Sequence, residues 1–345
     1  MAAHALGAAM PAGCNGAVMI TVLGGGIVNL VPTSDETVLR AVPGGSAFSI
    51  AIEAARLGFP TALMVRLSRD PLGQMLRRHA TRSGIDLSAS PEADEPTTIA
   101  LVPAPRTARN GSRREGRQHR AAPGSLYVAG TASWQWSPAE LGWIPRATTV
   151  LHIGSVIHWP APVMGRILRA AARLRQRGAL VCLDLNVRPE VTQALRETPG
   201  QARILLDRPI RLADVVRANT EDIAWLYPGR APQAVAESWL RLGPGLAVIT
   251  SGASGVMAIR GSGSALHRRA DVHYAAAGAD LPHGDAAVDT FRAADAFTAG
   301  LLGGLYRLRR NAVEIRQLSA EDLSEMLDAA LRAAGSAAGL ALIER

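Results

Sequence analysis

The chain has 345 residues, of which 48% are hydrophobic and 19% are charged, so it holds enough apolar material for a substantial buried core. Its formal net charge of +8 comes from 37 basic and 29 acidic residues, and every one of those basic residues is arginine. The absence of lysine excludes Schiff-base and pyridoxal-phosphate enzymes, P-loop nucleotide-binding proteins and protein kinases, because each of these needs a lysine side chain.

The first 18 residues predict a disordered tail, because they lack both the charged start and the long apolar core of a signal peptide. No run of 18 apolar residues occurs in the chain, which argues against a membrane-spanning helix. The two cysteines, Cys14 and Cys182, lie far apart and offer no metal-ligand spacing. A reduced, cytoplasmic setting is therefore expected.

An opening strand at 19–26 and a helix at 46–57 come before a regular alternation of strands and helices. The predicted strands of that alternation are 149–153, 179–185, 213–218, 246–250 and 256–260. Their separations suit strand–helix–strand units, which predicts a parallel sheet covered by helices. Ser319 and Asp322 form a capping box that predicts the start of a last, alanine-rich helix.

Two stretches, 27–43 and 97–136, do not fit this alternation and predict a small second sheet inserted in two pieces. Within the second stretch, 106–120 holds six arginines and one glutamate. This segment has no aromatic residues for base stacking and no apolar periodicity for a recognition helix, so we interpret it as a solvated loop. Contact with a polyanion such as a nucleic acid is the alternative.

A window at 289–300, with the sequence Asp-Thr-Phe-Arg-Ala-Ala-Asp-Ala-Phe-Thr-Ala-Gly, is the most informative motif. The apolar stripe that follows it predicts a helix whose first turn holds Asp295. Backbone N–H groups at a helix N-terminus suit anion binding. An aspartate there is either a cap residue or a base beside a bound phosphate, and position alone favours the cap.

Four further turns lie before a predicted helix or at the ends of predicted strands, where open α/β sheets bind ligands. They are Pro-Gly-Gly-Ser at 43–46, Asp-Leu-Asn-Val-Arg-Pro at 184–189, Asn-Thr-Glu-Asp at 219–222 and Thr-Ser-Gly-Ala-Ser-Gly at 250–255. A double glycine lets the backbone approach a ligand closely, and the oxygen atoms of 219–222 suit a hydrated magnesium ion. Each turn alone also has an ordinary structural explanation, but their joint order is far less expected by chance.

This order of motifs resembles the ribokinase family of carbohydrate kinases, the phosphofructokinase-B type, and within it the bacterial fructokinase-like members. The resemblance covers about residues 19–340. It implies an α/β fold with a three-layer α/β/α core, a mostly parallel central sheet and a small β-sheet lid. One ribokinase-like domain is therefore expected over 19–345, with lid strands inserted at about 27–43 and 97–136.

The resemblance also implies a reaction, namely ATP-dependent phosphorylation of a free sugar, with fructose or a similar hexose as the first choice. A non-catalytic relative that binds sugar or nucleotide and a nucleoside kinase are the alternatives. ATP and Mg²⁺ are the implied cofactors, and a requirement for K⁺ is left open. Because the lid is often a dimer contact in this family, a homodimer formed through the lid is a further expectation.

The resemblance assigns roles to individual residues. Asp295 matches the catalytic base that takes the proton from the sugar hydroxyl, and the backbone just before it matches an anion hole for the transferring phosphoryl group. The anion-hole residues are Arg292, Ala293 and Ala294, and the substrate-binding residues are Asn29, Gly44, Gly45, Ser49 and Arg188. Asn219, Thr250, Gly252 and Gly255 match the nucleotide side, and Glu221 and Asp222 match the metal-binding motif.

The sequence departs from the family pattern at the anion hole, where the usual window is Asp-Thr-x-Gly-Ala-Gly-Asp. Arg292 and Ala294 replace its two glycines. If the turn needs positive φ, each replacement adds about 1–3 kcal/mol of strain. The loss of one preorganised donor lowers the rate by about 10²-fold or more. Alternatively, Arg292 places its guanidinium on the phosphate.

Overall fold

The computed structural model describes residues 19–35, 37–102, 125–154, 161–187, 198–261, 265–268, 285–308 and 312–337, with the backbone alone for 285–292. The predicted tail at 1–18, the basic segment at 106–120 and Arg188 lie outside the described residues. Within the described ranges, no helix combines the length and the hydropathy that crossing a bilayer requires.

The main sheet has eight strands in the order β14-β13-β12-β11-β10-β9-β1-β4, parallel from β12 to β4, with β13 and β14 antiparallel at one edge. Its strands are β1 (Met19–Leu23), β4 (Thr61–Met64), β9 (Thr148–Gly154), β10 (Leu180–Asp184), β11 (Val215–Asn219), β12 (Leu246–Thr250), β13 (Val256–Arg260) and β14 (Ala265–Arg268). All residues of β1, β4 and β10 are buried, as expected for parallel strands covered on both faces. The predicted mostly parallel sheet is confirmed.

Helices cover both faces of this sheet. They are α1 (Ser46–Arg56), α2 (Pro71–Arg82), α3 (Ala161–Gln176), α4 (Pro199–Leu212), α5 (Thr220–Leu226), α6 (Pro232–Leu240), α7 (Asp285–Leu308), α8 (Ala312–Ile315) and α9 (Ala320–Ala337). One apolar cluster joins α3 to α6 with one face of the sheet, and a second joins α1, α2, α7 and α9 with the other. These two clusters establish the expected three layers.

A separate sheet has the order β3-β2-β7-β8 and corresponds to the predicted lid. Its strands are β2 (Ile27–Pro32), β3 (Leu39–Gly44), β7 (Thr98–Leu101) and β8 (Ser125–Tyr127), so the two predicted insertions both contribute to it. The short strands β5 (Leu67–Ser68) and β6 (Glu92–Ala93) pair with each other. The boundary of a single domain at 19–345 stays a prediction.

Helices α7 and α9 test two of the sequence-based expectations. Ser319 caps α9 as predicted, because its Oγ accepts the N–H of Asp322 at 2.9 Å. The expectation that Asp295 lies in the first turn of its helix is wrong, since α7 begins at Asp285, ten residues earlier. Glycine costs about 1 kcal/mol relative to alanine inside a helix, so arginine and alanine at 292 and 294 favour the longer helix.

Candidate active site

The double-glycine turn between β3 and α1 meets the lid strand β2 in a close backbone contact. A Cβ atom on Gly44 would lie 2.2 Å from the Asn29 Nδ2 atom, so the Asn29 amide packs directly on the Gly44 backbone. Gly45 has φ of +95°, and a Cβ there would lie 2.8 Å from the Gly25 carbonyl oxygen. Position 45 therefore requires glycine, and three predicted substrate-binding residues, Asn29, Gly44 and Gly45, lie together.

Asp295 lies against the same turn, because Ser46 Oγ donates a hydrogen bond to Asp295 Oδ1 at 2.6 Å. Ser46 is the first residue of α1, and Asp295 lies on α7, which packs against α1. The predicted base is thus in contact with the predicted sugar-binding turn. Ser49, another predicted substrate residue, is half-buried in the first turn of α1. Ser46 was not among the predicted site residues. Its position directly after the double glycine was the one feature of the sequence that pointed to a role at the site.

The predicted anion-hole residues lie inside α7 rather than at its start. Each N–H in an α-helix bonds the carbonyl four residues earlier, and the first four alone lack such a partner. Because α7 begins at Asp285, the amides of Arg292, Ala293 and Ala294 are committed to the helix. An anion hole made of these amides requires the first turns of α7 to unwind, and this role stays a prediction.

A buried ion pair links the carboxyl ends of three neighbouring strands of the main sheet. Arg217 Nη1 on β11 donates to the Asp184 carboxylate on β10 at 2.9 and 3.2 Å, and Arg217 Nη2 donates to Thr250 Oγ1 on β12 at 3.0 Å. The two charged side chains are 5% and 1% exposed. Burial acts to lower the pKa of Arg217, but the charges of Asp184, Asp222 and Asp295 raise it above its ordinary value. Arg217 stays charged and interacts electrostatically with the predicted base, a role that the motifs did not assign.

His152 lies on β9 beside this ion pair and is fully buried. Burial is the main cause that lowers its pKa to about 4; the charge of Arg217 acts in the same direction, and that of Asp184 opposes it. Among the described residues, neither ring nitrogen has a hydrogen-bond partner. The imidazole is therefore neutral near pH 7 and adds no charge to the site.

The predicted metal-binding motif forms a helix cap. Asn219 Oδ1 accepts the Asp222 N–H at 2.6 Å, and Asp222 Oδ2 accepts the Asn219 N–H at 3.1 Å, which is a reciprocal capping box on α5. Asp222 Oδ1 also accepts the Val187 N–H at 2.9 Å and so holds the turn that follows β10. In that turn, Asn186 has φ of +36°, which is uncommon for a residue other than glycine. Glu221 next to the cap is exposed.

The predicted nucleotide-side residues lie on adjoining strand ends. Asn219 and Thr250 are partners in the β11–β12 register. Beyond Thr250, Gly252 and Gly255 have φ of +52° and +101°, and a Cβ on Gly252 would meet no atom within 4 Å. Such an open glycine turn suits close approach of a nucleotide phosphate to the backbone. Among the residues that the structure describes, no group of three or more His, Cys, Asp or Glu side chains is arranged to hold a metal ion.

Comparisons with known proteins show which family the chain is similar to. The model of the pfkB family carbohydrate kinases matches residues 22–341. A fructokinase of Rhizobium leguminosarum bv. trifolii is 29% identical over 291 residues, covering 83% of this chain and 79% of that protein. An aminoimidazole riboside kinase of Salmonella typhimurium is 28% identical over 290 residues, covering 84% of this chain and 81% of that protein.

The fold is shared with solved kinases as well. The crystal structure of a fructokinase from Vibrio cholerae O395 with fructose, ADP and calcium ion bound superimposes with a TM-score of 0.69 at 21% identity. The match covers 94% of this chain and 92% of that chain. The family model spans nearly all of the described residues. The chain belongs to the pfkB family of carbohydrate kinases.

Proposed function

We propose that the protein transfers the γ-phosphoryl group of ATP to a hydroxyl group of a free hexose, with fructose as the first candidate. The observation that carries this proposal is the contact between Asp295 and the double-glycine turn, where Ser46 Oγ lies 2.6 Å from Asp295 Oδ1. This contact brings the only carboxylate assigned as a base to the residues assigned to the sugar. The relatives named fructokinase support the choice of substrate.

In this mechanism Asp295 accepts the proton of the attacking sugar hydroxyl, and the chain contributes mainly positioning and charge stabilisation. ATP supplies the phosphoryl group when it is bound. Arg217 balances the negative charge near the reacting groups, because its buried guanidinium pairs with Asp184 and its charge also acts on Asp222 and Asp295. The packing of Asn29 on Gly44 shapes the sugar side of the site.

The residues assigned to the nucleotide side and to the metal-binding motif fit a nucleotide better than they fit direct coordination of a metal ion. The turn at Gly252 and Gly255 leaves the backbone at Gly252 accessible to phosphate oxygens, because a Cβ there would meet no atom within 4 Å. Asp222 does not fit the role of a direct Mg²⁺ ligand, because both of its carboxylate oxygens accept backbone N–H groups. Exposed Glu221 is the residue that would hold a hydrated Mg²⁺ ion, which would neutralise phosphate charge.

The test is release of ADP by the purified protein with ATP, Mg²⁺ and a panel of free sugars. Fructose should give the highest kcat/KM, and Asp295→Asn serves as the inactive control. ADP release that does not rise above the sugar-free background with any sugar would contradict the proposal. Repeating the assay with and without K⁺ decides whether a monovalent ion is required.

Two alternatives each have a specific observation in their favour. A nucleoside kinase is favoured by the riboside kinase that is 28% identical to the chain, so ribonucleosides belong in the same panel. A non-catalytic binding protein is favoured by the long α7, whose helical amides at 292–294 are not presented to an anion. Calorimetric binding of sugar or ATP without any ADP release would support this second alternative.

A further inference from the structure

We propose that Ser46 is a positioning residue for Asp295, which couples the orientation of the base to the sugar-binding turn. The inference rests on the proposed function and deepens it at the same site. Its basis is the 2.6 Å hydrogen bond from Ser46 Oγ to Asp295 Oδ1, made between residues that are 249 positions apart in the chain. Neither the family match nor the relatives assign a role to this serine.

The contact is held from both sides by buried packing. Ser46 is followed on α1 by Ala47 and Phe48, which are 4% and 1% exposed. Asp295 is followed on α7 by Ala296 and Phe297, which are 0% and 2% exposed. Since α1 and α7 pack within one apolar cluster, the two polar side chains meet at a fixed separation.

The start of α1 offers a second reason for a carboxylate at this place. Its N-cap is Gly45, which provides no side-chain hydrogen bond to the helix, and the first turn contains no acidic residue. The first N–H groups of a helix carry partial positive charge and lack partners within the helix. Asp295 brings the missing negative charge from α7, so the Ser46 hydroxyl and the start of α1 both stabilise its ionised form.

Ser46 also joins the base to the lid. It directly follows Gly44 and Gly45, and Gly44 is covered by the Asn29 amide of β2. Movement of β2 and β3 over a bound sugar therefore acts on the residue that orients Asp295. A hydroxyl that holds Oδ1 in one direction fixes the rotation of the carboxylate relative to the sugar.

Among the charged groups of the described residues, Arg217 on β11 acts on Asp295 through its charge, as it does on Asp184 and Asp222. Arg292, three residues before Asp295 on α7, is described by its backbone alone. On α1, Glu53 and Arg56 pair with each other at 3.6 Å. His152 on β9 is neutral near pH 7, because its pKa lies at about 4. Removing the Ser46 hydroxyl leaves all of these charges in place.

The experiment compares Ser46→Ala and Ser46→Thr with the wild type, and Ser238→Ala serves as the matched control. Ser238 also lies in a helix, but its Oγ bonds the Val235 carbonyl of the same helix, away from Asp295. Ser46→Ala should lower kcat by about tenfold, the size of one hydrogen bond to a charged group, and leave KM for ATP unchanged. Ser46→Thr should keep kcat within about threefold, because it retains the hydroxyl.

The pH profile separates positioning from a loss of structure. Loss of a donor to the carboxylate disfavours its ionised form, so the acidic limb of the kcat profile should move to higher pH by about one unit in Ser46→Ala. Ser46→Thr and Ser238→Ala should keep the wild-type limb. The inference would be overturned if the acidic limb of the kcat profile stayed unchanged in Ser46→Ala. It would also be overturned if Ser46→Thr lost as much kcat as Ser46→Ala.

A measurement without substrate keeps this result apart from the proposed function. Titration of the Asp295 carboxyl carbon by ¹³C NMR, assigned with Asp295→Asn, should show a higher midpoint in Ser46→Ala than in the wild type. If no sugar is phosphorylated but the midpoint moves, the proposed function fails and the Ser46–Asp295 coupling stands. If phosphorylation is observed and the midpoint does not move, the coupling fails alone.

Discussion

The start of α7 at Asp285 places Arg292 and Ala294 inside a helix, seven and nine residues from its first position. Amides there bond earlier carbonyls, so phosphate can reach them only if the first turns unwind. The double variant Arg292→Gly with Ala294→Gly tests this reasoning. Each glycine disfavours a helix interior by about 1 kcal/mol, so the pair shifts the unwinding equilibrium by about 2 kcal/mol, or roughly 30-fold.

If unwinding precedes phosphoryl transfer, kcat of the double variant should rise towards that 30-fold limit, while KM for the sugar stays the same. Release of ADP measures kcat, and hydrogen exchange of peptides covering 285–295 measures the unwinding directly. The matched control is Arg169→Gly with Ala172→Gly on α3, which weakens by the same amount a helix that packs on the other face of the sheet. Faster exchange at 285–295 with an unchanged or lower kcat would refute the reasoning and favour an adapted role for Arg292.

Three more predictions concern the carboxylate, the ion pair and the buried imidazole. Asp295→Asn should abolish turnover while sugar affinity, measured by calorimetry, stays within a few-fold; retained activity would show that the base is wrongly assigned. Arg217→Leu should lower the free energy of unfolding, measured in urea, by about 3–5 kcal/mol, because it leaves Asp184 charged and buried. The double variant with Asp184→Leu should recover most of this loss. The pKa of His152 is lowered to about 4 in the folded protein. Below about pH 6.5 this histidine is therefore protonated in the unfolded chain while it is still neutral in the folded protein. The free energy of unfolding should therefore be highest above pH 6.5 and decrease towards pH 4 by up to about 3 kcal/mol. His152→Leu should flatten this pH dependence. An identical slope in the wild type and the variant would contradict the assignment.

The sequence alone was sufficient for those parts of the fold that depend on local patterns. Parallel strands buried on both faces appear as short continuous apolar runs, which is why the predicted 246–250 coincides with β12. The capping box at Ser319 is likewise local, since its two partners are three residues apart. Glycine-rich turns at strand ends identified the edge of the sheet at which the candidate site lies.

The start of α7 shows where local patterns were insufficient. The apolar stripe that predicts this helix begins at Phe297, so it gave no signal for the turns from Asp285 to Asp295. The helix propensity of Arg292 and Ala294 was the remaining indication in the sequence that the helix begins before Asp295. Resemblance to a glycine-containing motif favoured a shorter helix than this sequence forms.

The contacts that define the candidate site were decided by the tertiary structure. Ser46 and Asp295 are 249 residues apart, and Arg217 meets Asp184 and Thr250 across two strand boundaries. Such pairs cannot be predicted from spacing along the chain, because they form when α1 packs on α7 and when the strand register aligns β10, β11 and β12. The sequence thus determined the layers, the turns and the residue types at the site. Packing between distant elements determined which of those residues touch.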